Sequence, residues 1–174
     1  MKFHHIVSVA AILLGTSTAS LAAPSGLLNK SIHISYATFI PARTVDGRIN
    51  RGTRKVSMTI YVSSAGRIFL KKVNRTGGFG RDFEAAPERT AHGFHFAGST
   101  LVGVLGARSG NMAAQWRVSF DSSFQTCSAE VIVGGTGGAP ISWIGLNGER
   151  YTATGHPNVS DVACSVENGN AFAN

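Results

Sequence analysis

Cysteine is nearly missing from this 174-residue chain: only Cys127 and Cys164 are present, far apart and with no C-x-x-C spacing. That excludes a cysteine-built zinc site and a dithiol redox centre. Charge is sparse as well, at 14% of residues, while 43% are hydrophobic, a balance that suits neither a disordered chain nor a helical bundle. After the first two dozen residues no segment keeps a 3.6-residue apolar period, and no apolar run approaches the roughly 20 residues a membrane-spanning helix needs. No serine sits in G-x-S-x-G, so the nucleophile elbow of the α/β-hydrolases is missing.

What is present begins with an export signal. Lys2, His4 and His5 form a basic opening, Ile6 to Gly15 a short apolar core, and Ser17 to Ala23 an exit of mostly small residues. Signal peptidase takes small side chains at −1 and −3, which Ala22 and Ser20 supply, so residues 1–22 are expected to be removed and the mature chain to start at Ala23. No cysteine lies near that point to carry a lipid, and no transmembrane anchor is expected. The remainder suits a single domain, 23–174, exported to a periplasm or secreted.

Charge is unevenly distributed in that domain. Residues 23–89 carry twelve bases against four acids, and residues 90–174 three bases against five acids. If the N-terminal strands lie side by side, one face is positive and attracts polyanions. Arg43, Arg48, Arg51, Arg54 and Lys55 are close in sequence and make the candidate binding patch. An anionic polysaccharide or other envelope polyanion is the expected partner. Nucleic acid is the less favoured one, because most of the aromatics interleaved with these bases fall on strands and are needed for the core.

The dominant period is two, the mark of half-buried strands. Ile32, Ile34 and Tyr36 alternate with His33, Ser35 and Ala37; Val56, Met58, Ile60 and Val62 alternate with Ser57, Thr59, Tyr61 and Ser63. A Ser64-Ala65-Gly66 turn returns the chain through Arg67 to Val73 as a hairpin, and Asp46-Gly47 marks another turn. Residues 74–91, with their glycines, Pro87 and six charges, read as a long loop. Strands resume at His92 to Phe96 and Thr100 to Leu105. A second hairpin joins Ala114, Trp116, Val118 and Phe120 to the Cys127 strand, and an apolar patch at Ile141 to Leu146 precedes the Cys164 strand. Eight to ten short strands predict an all-β fold, either an antiparallel sandwich or a small up-and-down barrel.

Both cysteines sit in alternating segments, Cys127 with Ala129, Val131 and Val133, and Cys164 with Val162 and Val166. This phase predicts a buried disulfide in an oxidising compartment, worth about 4 kcal/mol by loop-closure entropy. Other chemistry is thin. His92 and His95 resemble a metal pair, but a spacing of three on a strand sends them to opposite faces, so no metal site is expected. Isolated His33 and His156 read as satisfied polar residues. The glycine runs at Gly77 to Gly80 and Gly134 to Gly138 lack the following helix and lysine that a phosphate loop needs, and no cofactor is expected. Asp82 and Glu84, two apart, have the minimum spacing for a carboxylate pair, and a small hydrolase with its site on the 74–91 loop is the competing reading; a purely structural envelope protein is the third. No residue declares itself catalytic.

The segments Tyr61 to Arg67 (YVSSAGR), Phe120 to Ala129 (FDSSFQTCSA) and Cys164 to Asn170 (CSVENGN) resemble those of short exported bacterial proteins of unassigned function. The resemblance runs along most of the mature chain. It implies an envelope location and paired cysteines, and brings no activity or ligand with it.

Overall fold

A computed structural model describes residues 22–50, 52–76, 93–106, 110–137, 139–145 and 148–173. The proposed signal peptide therefore lies almost wholly outside the described residues, as do Arg51, Asp82, Glu84 and His92. After a short 3-10 turn at Ser25–Leu27 the described residues form eleven strands: β1 Lys30–Phe39, β2 Ala42–Thr44, β3 Arg54–Val62, β4 Ile68–Thr76, β5 Phe94–Ala97, β6 Thr100–Gly106, β7 Met112–Phe120, β8 Cys127–Gly135, β9 Ser142–Ile144, β10 Arg150–Ala153 and β11 Asn158–Asn168. No α-helix occurs among the described residues.

The strands form two antiparallel four-stranded sheets, ordered β11-β1-β3-β4 and β5-β6-β7-β8, with a small third sheet β2-β10-β9. We call them sheets A, C and B. The alternating residues of β1 and β3 do what their period requires: Ile32, Ile34, Tyr36, Val56, Met58, Ile60 and Val62 are all buried. They meet Phe94, Phe96, Leu101, Trp116, Val118 and Val131 from sheet C in one core. Two sheets packed face to face in this way make a sandwich. The barrel alternative is ruled out at the edge between β8 and β11, which face each other without ladder hydrogen bonds.

A disulfide joins that edge instead. Cys127 opens β8 and Cys164 lies on β11, with their Cα atoms 5.6 Å apart. Cys127 and Ala129 pack on the core in the expected phase. The phase fails at Val162. The register of β11 against β1 shifts between Ser35 and Ala37, Asp161 adopts a left-handed φ of 54°, and Val162 is left 39% exposed. An extra residue in one strand flips everything beyond it to the other face, so Val159 rather than Ser160 packs inward.

Trp116 is the centre of the core. Its ring stacks on Phe94 at 5.8 Å and tilts against Tyr36 of the opposite sheet at 6.3 Å. Gly103, in register with both Phe94 and Trp116, makes this possible, because a Cβ there would stand 2.1 Å from the Phe94 ring. Turn chemistry follows the sequence: Gly47 and Gly66 take positive φ in their hairpins. The Asp121 carboxylate accepts from the Ser123 hydroxyl and from the N–H groups of Gln125 and Thr126, which together hold it down at about 2. Two expectations need correction. β4 continues to Thr76, in register with Arg54, so the loop cannot begin at residue 74. The strand count exceeds ten because β2, β9 and β10 are too short to show alternation.

Candidate functional site

Proximity in sequence does not gather the five cations into one patch. Arg43 is exposed on β2. Arg48 stands on the return of the same hairpin and pairs with two carboxylates, Nε to Asp46 Oδ2 at 3.1 Å and Nη1 to Glu149 from the β9–β10 turn. Asp46 is itself held below the usual carboxylate range, first by the Thr44 hydroxyl and then by Arg48. A cation bracketed by two acids has little charge left for a ligand. Arg51 lies outside the described residues.

Arg54 and Lys55 are neighbours in sequence and therefore face opposite ways on β3. Lys55 is exposed on the outer face of sheet A. Arg54 points inward beside Tyr36; burial lowers its pKa from the ordinary arginine value and, with Arg54 opposing the effect, raises that of Tyr36 above the ordinary phenol. Thr38, in register with Arg54, is 8% exposed, and its hydroxyl has no hydrogen-bond partner among the described residues.

The outer face of sheet A holds the feature that sequence reasoning missed. His33 projects from β1 between two partners, its Nδ1 3.1 Å from Thr59 Oγ1 and its Nε2 2.9 Å from Glu167 Oε1. Next to it lies a groove of about 230 Å³, lined by His33, Ser35, Ser57, Ala163 and Ser165 and by Ile34 and Cys164, whose side chains turn into the core. The groove lies beside the register shift of β11 against β1 between Ser35 and Ala37. His33 and Ser35 could be placed on a polar face from the period of two. Their meeting with Ser57, Thr59, Ser165 and Glu167 depends on strand register, which no local signal in the sequence sets.

Carboxylate, imidazole and hydroxyl in a row suggest nucleophilic catalysis, with Glu167 orienting, His33 accepting the proton and Thr59 attacking. The arrangement lacks the rest of such a site. Thr59 sits mid-strand between β1 and β4, so its neighbouring amides are engaged in ladders and no oxyanion donors stand beside it. The trio therefore acts as a cross-strand tie, with Nδ1 hydrogen-bonded to Thr59 and Nε2 in ion-pair distance of Glu167 but without a hydrogen-bond partner among the described residues. His156 and His95 are exposed.

Among the described residues no cluster of three metal-ligating side chains occurs, and no helix is long and apolar enough to cross a membrane. The Asp82 and Glu84 pair of the hydrolase reading lies outside the described residues. The chain matches no protein-family model, no curated protein and no solved structure.

Proposed function

We propose that this is an exported, non-enzymatic binding domain that holds an anionic polysaccharide of the cell envelope or matrix through its basic N-terminal half. The observation that carries the reading is the order of sheet A: β1, β3 and β4, all from the basic half, are adjacent strands. Lys55 is exposed on β3 and Arg67 in the β3–β4 turn, and β4 brings Lys71, Lys72 and Arg75 into register with Thr59, Met58 and Lys55. Of the two exposed carboxylates of β11, Glu167 is tied to His33 and Asp161 accepts from the Ser160 hydroxyl. Such a surface concentrates polyanions at low salt and releases them as the Debye length shrinks toward about 8 Å.

The test is retention on immobilised acidic polysaccharide across a salt gradient. Arg43→Glu, Lys55→Glu and Arg67→Glu together remove exposed cations without touching the ion-paired Arg48 or the inward Arg54. The triple variant is expected to elute far earlier than wild type. A wild-type protein that is not retained even at low salt would contradict the reading.

A further inference from the structure

We infer that the groove at the β11 bulge is a sugar subsite, and that the ligand it takes is a polysaccharide of uronic acid rings, one ring seated among His33, Ser35, Ser57 and Ser165 with its carboxylate turned to Lys55. This rests on the proposed polyanion function and moves its centre from the 43–55 segment to the outer face of sheet A.

The chemistry of the lining selects the ligand. The hydroxyls of Ser35, Ser57 and Ser165 make no side-chain hydrogen bond among the described residues and each can donate or accept. A sugar ring offers the same mixture around its edge. Its C–H face can rest on the Ala163 methyl and on the strand backbone at Ile34 and Cys164, whose side chains turn into the core. Drug-sized ligands occupy about 300–1,000 Å³, so a groove of about 230 Å³ suits one ring of a longer chain that lies across the sheet.

The charge pattern argues for a carboxylated sugar over a phosphate chain. A phosphate site gathers several cations or free amides at one point, whereas this groove has one imidazole, 2.9 Å from the Glu167 carboxylate, which can accept ligand hydroxyls. Lys55 lies two residues before Ser57 on the same exposed face, about 7 Å along the strand. One cation at that offset matches one carboxylate per ring. The bound His33 costs little to order, because Thr59 already holds its Nδ1 and the Glu167 carboxylate lies 2.9 Å from its Nε2.

Binding of a short oligogalacturonate to the mature protein, followed by calorimetry and by the His33 ring resonances, tests the inference. Ser57→Tyr and, separately, Ser165→Tyr fill the groove without changing charge, and both positions are exposed enough to accept the larger side chain. Each is expected to weaken oligogalacturonate at least tenfold and to abolish the His33 shifts. Arg117→Glu, on the outer face of sheet C, is expected to leave the affinity unchanged. If both groove variants bind as wild type while the Arg43, Lys55 and Arg67 reversal loses binding, the subsite is refuted and the polyanion reading stands. Tighter binding of polyphosphate than of oligogalacturonate refutes the uronate. No binding of either anion by the wild type refutes both readings.

Discussion

The two large sheets share one core and differ on their outer faces. Sheet A carries a polar outer surface with a fixed histidine, a hydroxyl-lined groove and the exposed Lys55 of β3. On sheet C, Arg117 and Glu130 stand directly in register, and Val104 and Ile132 are 48% and 54% exposed. Inner faces answer to packing alone, so Val56, Met58 and Ile60 on one sheet and Leu101, Trp116 and Val118 on the other are interchangeable in kind. Outer faces are free to differ, and there the charge imbalance of the chain takes a spatial form. The half that is basic in sequence is the half that builds sheet A, with only β11 contributed from the far end.

The shared core is where the comparison breaks most completely. Trp116 contacts both sheets, so Trp116→Ala is expected to cost about 3–5 kcal/mol in denaturant unfolding. A loss below about 1 kcal/mol would mean that the sheets hold together by other contacts. The next largest effect belongs to the β8–β11 edge, where the disulfide stands in for the missing ladder. Replacing both cysteines by serine is expected to cost about 2–4 kcal/mol, with hydrogen exchange accelerated first in β8 and β11. Uniform acceleration across both sheets would show that the bridge acts only through the unfolded chain.

Smaller still is the effect of alkali at Tyr36, which separates the sheets' meeting point from either surface. Burial raises this phenol above its ordinary value, so the neutral form belongs to the fold. Its contribution is fully present below the unfolded phenol's pKa of about 10 and is lost as pH rises above it. Tyr36→Phe is expected to flatten the alkaline decline in stability. An unchanged pH profile above 10 would assign that decline to other groups.

The strands were legible in the sequence wherever a run of five or more residues alternated cleanly, as from Val56 to Val62 and from Ala114 to Phe120. The cysteine pairing was legible for the same reason, since both thiols ride on alternating strands. Val162 was misread because the bulge at Asp161 breaks the alternation from within; aspartate tolerates the left-handed region better than most residues, yet nothing in its neighbourhood announces it. Arg54 was counted with a surface patch although its own phase, shared with Val56 and Met58, pointed it inward. Sandwich could not be told from barrel, since the difference is whether β8 and β11 hydrogen-bond across a separation of more than 30 residues. The groove was illegible for a related reason: three strands compose it, and each contributes only one ordinary hydroxyl side chain.

The most direct test of the account maps where an acidic oligosaccharide touches the protein. Backbone amide shifts recorded during titration with oligogalacturonate are expected to cluster on β1, β3 and β11 around His33, Ser57 and Ser165, to extend toward Lys55, and to leave β6, β7 and β8 unmoved. Shifts centred on sheet C, or spread evenly over both outer faces, would contradict it.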